Sequence, residues 1–137
     1  MHSIIYFLII IFMIKPKKLD KKNFLSSLDI SGEETLNLLD IAKKFKKNEL
    51  KIELKDKVLG LIFDKASTRT RVSFQVAMAR LGGTSIDLNP TTSQIGRGEP
   101  IKDTARVLSR YCDVIAIRTF KQSVLEEYAN WSSKPVI

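Results

Sequence analysis

The chain has 137 residues, 44% of them hydrophobic, which is enough to bury one sizeable core in a single domain. Its one cysteine, Cys112, excludes an internal disulfide and with it the disulfide-rich class of small secreted proteins, so we expect a cytoplasmic location or an organelle matrix. The net charge of +8 suits nucleic acid, an anionic membrane or a small anion, and the distribution of the charge distinguishes these partners.

An apolar run of eleven residues, 4–14, lies near the amino terminus. A membrane span needs about twenty apolar residues, and a signal peptide has basic residues ahead of its apolar run, which this one lacks. Three interpretations remain: an extension upstream of a start at Met13, an atypical targeting or anchoring segment, and a buried strand or helix. We favour the first, assign residues 1–27 to an amino-terminal extension and residues 28–137 to the domain, and do not expect a membrane partner.

Lysines and arginines are distributed differently along the chain. Lysines concentrate at residues 15–22 and 43–57, where they are typical of a solvated face, and no aromatic residues alternate with them to stack on bases. Nucleic acid is therefore disfavoured as a partner. The arginines all lie in the second half, several beside predicted strand ends or loops, which favours planar recognition of phosphate or carboxylate.

The segment from residue 28 to residue 88 is predicted to form a helix and then a strand, helix, strand unit. Ser31 and Glu34 have capping-box spacing, and the amphipathic stripe behind them predicts a helix over residues 32–47. The short apolar run 57–63 predicts a strand covered on both faces. A helical stripe follows, ended by Gly82 and Gly83, and residues 84–88 regain strand character.

The same alternation continues to residue 137. Pro100 opens a further predicted helix, residues 113–120 supply a third strand, residues 124–131 another helix, and the final PVI begins a fourth strand. This pattern predicts an α/β fold, in which a parallel sheet of about four strands carries helices on both faces, joined by right-handed crossovers.

The segment FDKASTRTRVSF, residues 63–74, concentrates hydroxyl and guanidinium groups directly after the first predicted strand. Parallel sheets bind ligands beyond the carboxyl ends of their strands, and with Ser67 as N-cap the amides of residues 68–70 would face that edge beside the positive helix pole. The pattern predicts a phosphate site, to which Arg69 and, from the third strand, Arg118 add guanidinium groups. The spacing of a P-loop is lacking, so nucleotide hydrolysis is not indicated.

Several of these residues also have a purely structural interpretation. Serine and threonine caps are common, and Arg71 could serve only to pair with a carboxylate. Asp103 and Arg106, at i, i+3 spacing, are expected to form a structural ion pair. Cys112 is expected to be a small core residue.

This segment and two others carry a resemblance to a known family. FDKASTRTRVSF, ARLGG and SQIGRGEPIKDTARVLSRYCDVIAIRTF together resemble the carbamoyl-phosphate-binding half of ornithine carbamoyltransferases, over about residues 28–137. STRTR with a downstream arginine is shared with aspartate carbamoyltransferases. The joined SQIGRGE and DTARVLSRY segments favour the ornithine enzymes, since Gln94 stands where that family has its glutamine.

The resemblance implies a site and a reaction. The phosphate of carbamoyl phosphate would be held by Ser67, Thr68, Arg69 and Thr70. Thr70 and Arg118 would lie near its carbonyl oxygen, and Gln94 would reach into the neighbouring site of a homotrimer. Arg69 and Arg118 are the implied catalytic residues, with no metal and no organic cofactor. The side-chain amine of L-ornithine would attack the carbamoyl carbon to give L-citrulline and phosphate, in the biosynthesis or the breakdown of arginine.

Family members continue beyond the point that corresponds to residue 137. They carry an Asn-containing turn, a His-Pro-x-Gln segment and a second domain that binds ornithine, and Cys112 does not match the cysteine of that domain. The resemblance therefore implies that these 137 residues alone do not turn over substrate. Two other interpretations stay open: a non-catalytic module that binds carbamoyl phosphate or another anion, and an enzyme of the aspartate carbamoyltransferase type.

Overall fold

The computed structural model describes residues 21–137, so the apolar run at residues 4–14 lies outside it. Helices and strands alternate along the described part: α1 Gly32–Lys46, β1 Val58–Phe63, α2 Thr68–Arg80, β2 Thr84–Leu88, α3 Ile101–Tyr111, β3 Val114–Arg118 and α4 Gln122–Trp131. Two short 3-10 helices, Ser27–Asp29 and Gln94–Arg97, lie in the connections. None of the helices described is long and apolar enough to cross a membrane.

The three strands form one parallel sheet in the order β2, β1, β3. The predicted parallel α/β fold is confirmed. The predicted fourth strand is present within residues 21–137 as a single parallel bridge between Ile115 and Val136. Pro135 has no amide hydrogen to donate, so pairing beside β3 depends on the Pro135 carbonyl, which accepts from the Ile115 amide at 3.0 Å, and on Ile137. The Ile137 amide donates to the Ile115 carbonyl at 3.0 Å, and the Ile137 carbonyl accepts from the Ile117 amide at 2.8 Å.

Side chains of the central strand alternate between two cores. Leu59, Leu61 and Phe63 pack in one buried cluster with residues of α2. Ile62 points to the opposite face and joins a second cluster with residues of α3 and α4, including Tyr128. The sheet therefore carries helices on both faces, and β1 is the apolar run that the sequence predicts to be covered on both sides.

The amino-terminal caps explain where α1 begins. Ser31 Oγ accepts from the Glu34 amide at 3.1 Å, and the Glu34 carboxylate accepts from the Ser31 amide at 2.7 Å, which confirms the predicted capping box.

Ahead of this helix, the Asn23 side chain and the Phe24 amide hydrogen-bond to the backbone of Val136. Two residues of the segment assigned to the extension thus contact the folded domain.

The structural roles expected for two groups are confirmed. Arg106 Nη1 lies 3.9 Å from Asp103 Oδ1 on the exposed side of α3, and the Arg106 guanidinium also stacks over the Trp131 ring. Cys112 is 2% exposed, and its sulfur lies only 3.0 Å from where a Cβ on Gly60 would sit. Glycine at position 60 therefore lets the thiol pack directly against the central strand.

Labelling of Cys112 by a thiol reagent is expected to be slow while the chain is folded. Burial raises the pKa of this thiol, and the neighbouring Asp113 charge raises it further, so the reactive thiolate is scarce at pH 8 and shielded from the reagent. The rate of labelling at pH 8 with and without denaturant measures the effect. A native rate equal to the denatured rate would contradict the buried position.

Candidate functional site

A pocket of about 680 Å³ opens at the carboxyl edge of the sheet, where β1 ends and α2 begins. Its walls are Ala66, Ser67, Thr68, Arg69, Thr70 and Arg118. The structure thus brings together five of the six residues that the sequence analysis assigned to the site. The sixth, Gln94, lies outside this pocket. The volume is in the range of small-molecule sites, about 300–1,000 Å³.

The amino terminus of α2 is left without a side-chain cap. Ser67 is the N-cap, as predicted, with extended backbone at φ −152° and ψ 97°, yet its hydroxyl makes no capping hydrogen bond. The first turn of α2 contains no acidic residue. The amides of residues 68–70 therefore lack the side-chain acceptor that usually occupies a helix start, and they present the positive end of the helix to the pocket.

The Ser67 hydroxyl is engaged by Arg118 instead. The register between β1 and β3 sets Phe63 beside Arg118, which places the end of β3 at the pocket. Arg118 Nη1 donates to Ser67 Oγ at 2.5 Å, and the Asp64 amide donates to the Arg118 carbonyl at 2.9 Å. One side-chain and one backbone hydrogen bond thus join the β1–α2 loop to the end of β3.

The pocket is electropositive. Two of its lining residues, Arg69 and Arg118, carry guanidinium groups, and none of its lining residues is acidic. Both arginines are exposed, and within residues 21–137 neither is paired with a carboxylate. Three hydroxyls, a row of amides and these two guanidinium groups are donors that match the oxygens of a phosphate group.

Comparison with known families identifies the family to which this fold belongs. Residues 22–137 match the model described as "Aspartate/ornithine carbamoyltransferase, carbamoyl-P binding domain". The chain belongs to this carbamoyltransferase family. The match includes the whole pocket, the sheet and all four helices, and it confirms the family resemblance drawn from the motifs.

Individual relatives are similar over the same region. The chain is 76% identical over 125 residues to an ornithine carbamoyltransferase of Prochlorococcus marinus subsp. pastoris strain MED4, covering 91% of this chain and 41% of the relative. The ornithine carbamoyltransferase structure from Gloeobacter violaceus is 50% identical with a TM-score of 0.76, covering 85% of this chain and 38% of that one. The chain spans about two-fifths of the length of the curated relatives it matches.

Aspartate transcarbamoylases share the fold. The catalytic subunit of the M. jannaschii aspartate transcarbamoylase matches with a TM-score of 0.75 at 36% identity, covering 85% of this chain and 40% of that one. The fold is therefore common to both branches of the carbamoyltransferase family. The identity is higher to the ornithine relatives named above than to this aspartate structure.

Arg71 points away from the pocket of this carbamoyltransferase domain. Its Nε lies 3.2 Å from Asp87 Oδ2 on β2, close enough for an ion pair, although the N–H is not aligned for a hydrogen bond. Its guanidinium also stacks over the Phe63 ring at 5.1 Å. The structural interpretation of Arg71 is confirmed, and only the first arginine of STRTR faces the pocket.

Gln94 opens a compact loop of the carbamoyltransferase domain and its side chain is exposed. The 3-10 helix that starts there ends at Gly98, whose φ of 90° favours glycine. Farther along, the Glu99 carboxylate accepts from Thr104 Oγ1 at 2.8 Å, which anchors the loop to α3. The loop therefore presents Gln94 outward and away from its own pocket.

Gly96→Ala is expected to rearrange this loop. A Cβ at position 96 would lie 1.9 Å from the Pro90 carbonyl oxygen, so the backbone on one side has to move. We expect large amide chemical-shift changes over residues 90–98 in an NMR spectrum, with the amides of residues 68–70 little affected. Gly32→Ala is the matched control, because no atom of the described residues, apart from its chain neighbours and its own helix backbone, lies within 4 Å of the added Cβ. Unchanged shifts at residues 90–98 would contradict this packing.

An apolar groove that the sequence analysis did not anticipate adjoins the pocket. It measures about 350 Å³ and shares Thr70 and Arg118 with the pocket. Its apolar walls include Phe24 and Leu25, which the sequence analysis had placed in the extension, together with Leu125. The signal that could have predicted these walls is the pair of apolar residues Phe24 and Leu25 directly before the domain boundary.

Side chains that bind metal ions are not clustered in the described part of the carbamoyltransferase domain. No group of three or more His, Cys, Asp or Glu side chains in residues 21–137 is placed to hold a metal ion. The donors gathered at the pocket are hydroxyl, amide and guanidinium groups, which bind anions directly.

Proposed function

We propose that this chain binds carbamoyl phosphate through its phosphate group at the start of α2, and that it supplies this half of an ornithine carbamoyltransferase site. The observation that carries the proposal is the uncapped amino terminus of α2 beside two arginines that have no carboxylate partner within residues 21–137. An uncapped helix start has amide donors to satisfy, and a phosphate dianion satisfies them together with the guanidinium charge. The family that the chain belongs to is described by the same ligand.

Each polar lining residue has a role in this proposal. Ser67, Thr68 and Arg69 bind the phosphate oxygens, together with the amides at the helix start. Thr70 and Arg118 lie on the side of the pocket nearer the apolar groove and bind the carbonyl oxygen of the carbamoyl group. When phosphate enters, Arg118 is free to exchange its hydrogen bond to Ser67 for one to the ligand.

The proposed reaction is a carbamoyl transfer. The uncharged side-chain amine of L-ornithine attacks the carbamoyl carbon, the bond from that carbon to the phosphate oxygen breaks, and L-citrulline and phosphate form after the amine loses a proton. Negative charge grows on the carbonyl oxygen and on the leaving phosphate. Preorganised donors at these two places stabilise the transition state by about 3 kcal/mol for each donor.

A neighbouring subunit takes part in the proposed site. Gln94 is exposed and lies outside its own pocket, which suits a residue that reaches into the pocket of another copy in a homotrimer. L-Ornithine would be bound by a second domain, as the resemblance implies. The proposal places the complete enzyme in arginine metabolism and in the cytoplasm.

A chimera tests the proposal. The chain alone is expected to bind carbamoyl phosphate in a calorimetric titration and to form no citrulline from it and L-ornithine. Joined to the portion of the Prochlorococcus relative that lies beyond the match, the chain is expected to form citrulline. The reason is that the chain is 76% identical, over 125 residues, to the part of that relative which it replaces. L-Aspartate in place of L-ornithine tests the aspartate carbamoyltransferase alternative.

The outcomes separate the alternatives. Carbamoyl phosphate binding without citrulline from the chimera would favour the non-catalytic anion-binding module. Carbamoyl aspartate from the chimera would favour the aspartate enzyme. Failure of the chain to bind carbamoyl phosphate would overturn the proposal itself.

A further inference from the structure

We propose that Phe120 is a positioning residue for the pocket. Its ring stacks on the Lys65 ammonium, and this contact holds Arg118 in place. Lys65 Nζ lies 4.4 Å from the centroid of the Phe120 ring. This inference names a residue beyond those assigned above, and its link to ligand affinity rests on the proposed function.

The stack joins the two loops that form the pocket. Lys65 lies two residues before Ser67, and Phe120 lies two residues after Arg118. The contact therefore connects the β1–α2 loop to the end of β3, as the Arg118 to Ser67 hydrogen bond does. With the backbone hydrogen bond from Asp64 to Arg118, three interactions join these two segments.

Within residues 21–137, Phe120 is not packed in a hydrophobic core. Its side chain is 73% exposed and belongs to neither of the two core clusters. An exposed phenylalanine gains little from burial, whereas its ring face attracts a cation within about 6 Å. The cation–π contact with Lys65 is thus the most favourable interaction of the Phe120 ring within residues 21–137.

The stack and the Arg118 to Ser67 hydrogen bond respond differently when a ligand binds. Ser67 and Arg118 both line the pocket, so a phosphate competes for the hydrogen bond between them. Neither Lys65 nor Phe120 lines the pocket. The stack therefore persists in the liganded state and keeps the end of β3 close to the start of α2 while Arg118 turns to the ligand.

Four single variants and one double variant test this role in the 137-residue chain. Phe120→Ala removes the ring, Phe120→Tyr keeps it, and Lys65→Met removes the charge while keeping most of the aliphatic stem. Tyr111→Ala is the matched control, since Tyr111 is an aromatic residue of similar exposure, 69%, at the end of α3. The readouts are hydrogen exchange at the Asp64 amide without ligand and the Kd for inorganic phosphate.

We expect Phe120→Ala to speed exchange at Asp64 and to raise the Kd about two- to fivefold, as suits an exposed cation–π contact. Phe120→Tyr and Tyr111→Ala should match the original chain in both readouts. In the Lys65→Met, Phe120→Ala double variant the loss should be smaller than the sum of the two single losses, because both substitutions remove one interaction.

Unchanged exchange at Asp64 in Phe120→Ala, or strictly additive losses in the double variant, would overturn the positioning role. Absence of phosphate binding by the original chain would instead contradict the proposed function. In that case the rates of hydrogen exchange at Asp64 still decide whether the stack holds the loops together. The test is whether the change in the double variant is smaller than the sum of the changes in the two single variants.

Discussion

Arg69→Ala is expected to weaken carbamoyl phosphate binding by the chain about 10- to 150-fold. The substitution removes a guanidinium that lines the pocket and has no carboxylate partner within residues 21–137, so its charge is available to the phosphate. A hydrogen bond to a charged group contributes about 1.5–3 kcal/mol, which corresponds to that change in Kd. In the chimera, citrulline turnover should fall together with the affinity, because the same donor stabilises the leaving phosphate.

The matched control for this prediction is Arg110→Ala. Arg110 is an exposed arginine on α3 that does not line the pocket, so its loss changes the net charge equally but should leave the Kd within about twofold. Calorimetric titration of both variants at the same ionic strength makes the comparison. Equal Kd values for the original chain and Arg69→Ala would contradict the assignment of Arg69 to the phosphate.

Leu61→Ala is expected to lower the free energy of unfolding by about 2–5 kcal/mol. Leu61 is 0% exposed at the middle of β1, where it packs in the cluster that joins the central strand to α2. Its truncation leaves a cavity between the strand that precedes the pocket and the helix whose amino terminus forms it. Because small domains are stable by only about 5–15 kcal/mol, the variant should lose a large part of its stability.

Urea denaturation measures this effect, with Leu36→Ala as the control. Leu36 lies on α1 and is 69% exposed, so the same chemical change there should cost less than about 0.5 kcal/mol. A loss at Leu61 no larger than at Leu36 would contradict the buried position of the central strand.

Local sequence signals predicted most of the fold. The Ser31 capping box predicted the start of α1, and the helix ends one residue before the predicted limit. The apolar run of β1 and the strand over Thr84–Leu88 were predicted within one residue, because a covered parallel strand leaves a continuous apolar stretch between polar turns. The final PVI was predicted to begin a fourth strand, and it forms a parallel bridge beside β3.

The parts of the site that depend on the STRTR segment and on the parallel arrangement of the strands were predictable from the sequence. STRTR follows β1 directly, and parallel strands end at the same edge, so Arg118 could be placed near it from sequence. The bond between Arg118 and Ser67 was not predictable, because a local serine cap is the usual expectation and only the tertiary arrangement supplies the competing donor. The Lys65 stack on Phe120 likewise depends on contacts between residues 55 positions apart in the chain.

An NMR titration with carbamoyl phosphate, following the backbone amides of the chain, tests the central claim most directly. Binding at the start of α2 predicts saturable shifts at the amides of residues 68–70 and at Arg118, with little change along the lysine-rich face of residues 43–57. Shifts confined to that lysine-rich face, or no saturable shift at residues 68–70, would contradict the assignment of the pocket to the phosphate of carbamoyl phosphate.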